Sequence, residues 1–564
     1  MFEWRPSRYV ACLHALILLA VETVVGADQA FVFLLAWETI TLSLYLLAAA
    51  DRARPGALAA AYFGSSLSKL GGASILAAFA LLYGKTGSFA FADWAHASDT
   101  LGAARSVAFV LLLVGFGSKI GLIPLQAGLP PLYTAAPAAT AATISIAANA
   151  GFYGLWRLAF ADLGPGPAWW GEVVIVLAAL TALVGILYAV AQDQIARFLG
   201  YSSIEHGGIV LLGFGVALLG QSAHQPNLAA VGLLAATHLI MHGIAKPLAF
   251  LAAERVTAAT GCSHLRPLGG LAPPMPRTAI AFGVAVLSLA AMPPFGGFVS
   301  EWFTFEALLQ SFRLDYVARL NMALAAAILA LTAGIGLLAF AKLYGGIFLG
   351  RGRTTLTQLR DPAASPGIFA LSFAALILGA VAPWEIRWLS HGLRGLLGFP
   401  LAGSTISFPL VLGPVYKHFS VLAPTWLAIG LLAFILTTAL LVRVLLRPQI
   451  RRAPVWLSGT APDVADVQYT PDSYANPIRV VLSTLYGFRR ELEPAREDDL
   501  HRRVLRTQIT PAFEAYLYRP VTRGALRFSG QARRLQSGRL GIYLLYVLVV
   551  LIAALALIPA LHNK

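Results

Sequence analysis

Cysteine is almost absent from this 564-residue chain. Cys12 and Cys262 are the only two, and they form neither a CxxC pair nor a metal-ligand spacing. An iron–sulfur cluster held by this chain is thereby excluded, and a structural zinc is disfavoured. No cofactor and no metal are expected, and no catalytic redox site; any electron transfer linked to the protein belongs to another subunit. Charge is scarce as well: 12% of residues are charged, against about a quarter in soluble domains. Lysine occurs only at positions 69, 85, 119, 246, 342, 417 and 564. What fills the chain is apolar, 58% of it, with a mean hydropathy of +0.73.

Apolar stretches of about 20 residues recur along nearly the whole length, which identifies an integral membrane protein of the all-α class. A β-barrel is excluded, because its signature is short alternating segments. About 13 spans are expected, near 9–27, 29–50, 57–83, 106–125, 135–160, 170–191, 195–220, 227–252, 278–306, 320–348, 367–386, 421–446 and 540–560. The first apolar tract is long for the core of a signal peptide and is read as a span. The net charge of +15 is concentrated as arginine in the polar stretch 447–538. The positive-inside rule places that stretch in the cytoplasm. Twelve spans precede it, so the basic N-terminus falls on the same side. Topology thus accounts for the basic charge, and no nucleic-acid partner is expected. The run AFEAYLYRPVTRGALRFSGQARRLQ reads as an amphipathic helix at the membrane surface or along neighbouring helices, or equally as a solvated charged connector.

Two spans are interrupted alike. GFGSKIGLIPLQAGLPPLYTAAP (115–137) and LAAMPPFGGFVSEWF (289–303) each set Gly and Pro at mid-membrane beside an ionisable group, Lys119 and Glu301. Broken segments in two halves of a transporter-like chain point to an inverted repeat with the working site between them. Irregular backbone survives at that depth only where protein or water lines it.

Charges inside the spans cost roughly 2.5–3.5 kcal/mol each on the insertion scale, yet this chain collects many. They are Glu38, Lys69, Lys119, Asp193, Glu205, His206, His238, His242, Lys246, Glu301 and Lys342. Asp193 with Arg197 reads equally as a plain interfacial pair. In ATHLIMHGIAKPLAF, His238, His242 and Lys246 are spaced by four, so they share one helical stripe of roughly 12 Å. Histidine changes protonation near neutrality, and a buried lysine near a carboxylate is also able to switch. A row of such groups joined by water is a proton relay. Pro247 beside Lys246 leaves a helix carbonyl unbonded, a foothold for water. Leu-Ile-Met between the histidines argues against the zinc motif that needs a glutamate there.

As a set these residues resemble the antiporter-like membrane subunits shared by respiratory complex I (the NADH-quinone oxidoreductases), energy-converting hydrogenases and multisubunit cation/proton antiporters. Trp37-Glu38 is similar to that family's tryptophan–glutamate, GSKIGLIPLQ to its first broken helix, and QIARFLGYSSIEHGGIVLLG to its D-x-K-R-x-L-A-Y-S-S motif. HLIMHGIAKPLAF is similar to its H-x₃-H-x₃-K helix and PPFGGFVSEW to its second broken helix. The matches span about 29–350 in the family's order. SSIEHGGIVLLG, FVSEWFTFEALL and the closing YLYRPV…RLQSGRLGIYLLYVL resemble the large membrane subunit of the hydrogenase-4 and formate hydrogenlyase type.

The resemblance implies two inverted five-helix repeats with discontinuous helices (1–160, N-terminally shortened by about three helices, and 161–350). Additional helices at 351–446, the cytoplasmic basic segment 447–538 and a C-terminal span at 539–564 complete the expected organisation. It implies proton translocation in the inner or plasma membrane, coupled to redox chemistry in peripheral subunits. Other membrane subunits and lipid are the implied partners. Glu38 and Lys119 become a modulating ion pair, His238, His242 and Lys246 the relay, and Glu301 the exit-side group, with Lys69 and Lys342 as further relay candidates. The family's central lysine is missing: no lysine lies between 119 and 246, and Asn149 is the nearest polar residue. Lys69 replaces a family histidine, Gln194 and Ala196 replace the motif's D and K, and PPLYTAAP lacks the usual histidine. Either Lys69 substitutes for the missing lysine or the N-terminal half is uncoupled. A sodium/proton antiporter, an inorganic-carbon uptake subunit and a non-conducting scaffold are the competing readings.

Overall fold

The computed structural model describes residues 8–51, 54, 56–235, 237–352, 366–397, 406–407, 410–413, 420–446, 469–483, 488–494, 503–509, 514–533, 545, 548 and 549. It divides into two compact units, 1–475 and 476–564.

The first unit is helical. It begins with α1 (Arg8–Gly26), α2 (Ala30–Ala48), α3 (Ala57–Thr86), the short α4 (Phe91–Ala97) and α5 (Ala103–Ile120). Next come α6 (Leu129–Ala135), α7 (Ala138–Gly154), α8 (Trp169–Ala191), α9 (Ile195–Ser222), α10 (Pro226–Leu234) and α11 (Thr237–Thr260). Then follow α12 (Pro276–Leu289), α13 (Gly296–Leu309), α14 (Tyr316–Phe348), α15 (Pro366–Leu378), α16 (Ala382–Leu397) and α17 (Pro424–Leu441). A two-residue strand pair, β1 (Ile406–Ser407) with β2 (Val411–Leu412), lies before α17.

Among the described residues nine helical spans are long and apolar enough to cross a membrane, or ten with the pair α15–α16, which is bent by 91°. The expected 13 is therefore not reproduced, and the reason is interruption. The 135–160 tract is α7 followed by a π-helical turn, Leu155–Asp162. The 278–306 tract is split into α12 and α13, and 367–386 is the bent pair. The 540–560 tract lies outside the described residues, as does the polar coil 447–468.

α9 is the axis of the unit, its membrane-spanning window wholly buried. It packs on α8, α10, α6, α11 and α13. Glycine makes the α8 contact possible: a Cβ on Gly171 would sit 2.7 Å from the Gly215 carbonyl, the small-residue approach common between membrane helices.

Both expected breaks are present. α5 stops at Gly121, whose φ of +92° suits glycine. The chain then runs unwound to a 3₁₀ turn at Gln126–Gly128 and re-enters helix as α6. The Ile123 amide freed by the break donates to Thr181 Oγ1 of α8 at 3.1 Å, as the membrane interior requires. α12 and α13 are separated by residues 290–295. One cis peptide lies in each break, Ile123–Pro124 and Pro293–Pro294.

A helix, α18 (Pro471–Val481), follows α17 in chain order. The second unit holds an antiparallel hairpin, β3 (Phe488–Pro494) with β4 (Arg503–Ile509), in which Phe488 pairs with Ile509 and Pro494 with Arg503. A π-helical turn and α19 (Arg519–Ala532) follow, where the amphipathic run predicts a helix. The hairpin is not foreseen in the sequence, where its strands read as mixed charge in a polar connector.

Candidate functional site

Two groups of polar side chains, one partly exposed and one buried, lie within the apolar helices. The first joins α2, α3 and α5. Glu38 lies 3.1 Å from the Lys69 ammonium, with side chains 33% and 61% exposed respectively. Lys119, fully within the core, donates to Thr41 Oγ1 at 2.9 Å and sits 4.6 Å above the Trp37 ring, a cation–π placement. The expected Glu38–Lys119 contact is thus corrected. Glu38 remains within electrostatic reach of Lys119, but its ion pair is with Lys69. A cavity of about 30 Å³ lined by Thr41, Ser65, Ser68, Lys119 and Leu129 adjoins them.

The second group joins α9, α11 and α13. His206 Nδ1 and His238 Nε2 are 2.9 Å apart, and His238 Nδ1 lies 2.8 Å from Ser300 Oγ. One hydrogen-bonded chain therefore crosses from α9 through α11 to α13. The His242 ring stands beside that of His206, with centroids 5.3 Å apart. Lys246 donates to the Leu199 carbonyl at 3.1 Å and to Ser202 Oγ. Glu205 is the buried carboxylate within electrostatic reach of Lys246. All of these side chains are buried. His206 Nε2, His242 Nε2 and Glu205 Oε2 have no hydrogen-bond partner, which marks places where water or a proton-sharing partner fits. A second cavity, about 10 Å³, touches His206, His242 and Ser203, and Leu129 lines this one too. That volume is near one water.

The stripe 238–246 is present as expected, on a helix that continues through Pro247. Glu301 is buried near this group, within electrostatic reach of Glu205, and has no ion-pair partner within 4 Å among the described residues. The Lys342 ammonium donates to the Val190 and Gln192 carbonyls at 2.7 and 2.6 Å. There it caps the C-terminal end of α8, where a cation is favoured. Asp193 and Arg197 do not pair. Asp193 accepts from the Arg266 amide at 3.2 Å, and Arg197 lies over Tyr201. Asn149 has its amide nitrogen 3.3 Å from where a Cβ on Gly243 would stand, between His242 and Lys246 in sequence. Ser202 and Ser300 lie inside quoted motifs, but only the folded contacts single them out as partners of Lys246 and His238.

Comparison with known proteins gives a consistent picture. A family profile described as "NADH:quinone oxidoreductase/Mrp antiporter, TM" matches residues 27–326. The chain is 33% identical to hydrogenase-4 component B of Escherichia coli (strain K12), over 94% of this chain and 80% of that protein. It is 32% identical to formate hydrogenlyase subunit 3 of the same organism, over 68% of this chain and 62% of that one. Among solved structures, it superposes on a chain of the membrane-bound sulfane sulfur reductase, an archaeal respiratory membrane complex. The TM-score is 0.73, with 23% identity and 96% and 83% coverage; at that identity the match speaks to fold.

Proposed function

The chain belongs to the NADH:quinone oxidoreductase/Mrp antiporter transmembrane family, as a multi-pass protein of the inner or plasma membrane, and on that premise we propose that it carries protons across the bilayer within a hydrogenase-like or complex-I-like assembly. The observation that carries the proposal is the buried chain His206–His238–Ser300, flanked by His242 and Lys246. Its histidines and the adjoining lysine are groups able to take up and release protons, and the chain links three helices at membrane depth. Glu205 balances Lys246, and Glu301 is the exit-side group. The 1–160 and 161–350 segments act as the two repeats.

In the first repeat, Glu38 with Lys69 is the responsive ion pair, and Lys119 transmits its state. The exposure of Lys69 at membrane depth supports a neighbouring membrane subunit on that face, because a charge facing lipid is costly. The redox chemistry that drives the proton belongs to peripheral partners.

A tagged chain purified in mild detergent tests the assembly. Recovery of a cysteine-rich large subunit and iron–sulfur partners supports redox coupling, and proton uptake by vesicles holding that complex supports the transport. Recovery of membrane subunits alone, or of a soluble zinc protein, leaves an antiporter or a carbon-uptake system. Proton movement that requires sodium favours the antiporter. A redox-active complex that moves no protons makes the chain a scaffold, the reading the missing lysine favours.

A further inference from the structure

We propose that Tyr133 is the gate between the cytoplasmic solvent and the histidine pair, a role that rests on the transport reading above. A basin of about 510 Å³ opens where the loop before α3, α6, α7 and the ends of α9 and α11 meet, with Arg54, Arg197 and Glu254 on its walls. By the charge topology this is the cytoplasmic face. The cavity beside His206 and His242 lies deeper. Tyr133 lines both, and no other described residue does.

The phenol is built to separate them. Its ring is buried and stacked on Phe250, with centroids 5.2 Å apart and planes 7° from parallel. On its other side α9 comes so close that a Cβ on Gly200 would lie 3.1 Å from Tyr133 Cβ and Cδ2. Tyr133 and Ser203 line the deeper cavity together, and the Ser203 hydroxyl there donates to the Leu199 carbonyl at 3.1 Å. The ring therefore keeps bulk water out, while the O–H, both donor and acceptor, passes a proton from the basin toward His206 and His242. Tyrosine supplies what the absent histidine of PPLYTAAP otherwise would, with a larger apolar body.

The test reads accessibility and flux separately, in the full-length protein in its native membranes. In a Cys12→Ser, Cys262→Ser background, Ser203→Cys is exposed from the cytoplasmic side to a membrane-impermeant methanethiosulfonate cation. Ala196→Cys, in the basin wall, reports that the reagent arrives and that the fold is intact. With Tyr133 present, Ser203→Cys is expected to react slowly. Tyr133→Ala is expected to speed it at least about tenfold, while Tyr133→Phe leaves it slow yet lowers proton flux about tenfold. Gly200→Ala, which crowds the ring without removing it, is expected to give an intermediate rate. Labelling independent of residue 133, or Tyr133→Phe with undiminished flux, overturns the gate. Because labelling needs no transport, absence of flux in the parent protein strikes at the transport reading alone.

Discussion

The two polar groups differ in how their charges are kept. In the first, Glu38 and Lys69 form a direct ion pair that is one-third to two-thirds exposed. In the second, no ion pair closes within 4 Å among the described residues; histidine, serine and a buried lysine hold one another by hydrogen bonds behind closed packing. An exposed pair gains at most about 1 kcal/mol in water and is disturbed easily by whatever covers it. A buried, hydrogen-bonded network is rigid and polarises its members. The first group thus suits a sensor of a neighbour, and the second suits a fixed path.

That contrast is open to direct attack. Lys246→Met removes the cation that Ser202 and Leu199 hold, and is expected to lower proton flux in vesicles by about 100-fold or more; flux within a factor of two of the parent rejects the fixed path. Lys69→Ala breaks the exposed pair. About a tenfold loss is expected if the N-terminal half is coupled through Lys69, and unchanged flux assigns conduction to the second half alone. Ser300→Ala leaves His238 Nδ1 without its partner in the core. It is expected to cost about 1–3 kcal/mol of stability, read as a lower denaturation midpoint in detergent, and to slow flux less than Lys246→Met. Thr181→Val strips the acceptor from the Ile123 amide, with a cost of about 1 kcal/mol and the smallest change in flux; a larger effect on flux than that of Ser300→Ala would assign the break, rather than the histidines, the controlling step.

The sequence carried much of this. The two breaks were legible because Gly and Pro at membrane depth have few uses, and the 238–246 stripe because a spacing of four fixes a helix face whatever the fold. Partner choice was not legible. Glu38 has two lysines on adjacent helices, and only the rotation of α3 against α2 decides that Lys69 touches it. His206 was visible as a buried charge, but its bond to His238 joins positions 32 residues apart. The contact of Lys342 with the end of α8 was not legible either, because sequence does not show where that helix stops. The span count among the described residues is lower than hydropathy alone suggests because hydropathy averages across breaks that backbone geometry does not.

Leu129 lines the cavity of Lys119 and the cavity of the histidines alike. Between the two groups, then, stands a thin apolar film, like the dielectric of a capacitor. Charge gathered on one plate shifts the potential of the other with nothing crossing, and the shift grows as the film thins and as its permittivity falls. Under the proposed transport reading, broadening or hydrating this one side chain would tune how strongly an event beside Lys119 acts on a proton at His206, and the leucine at the start of α6 would set that gain.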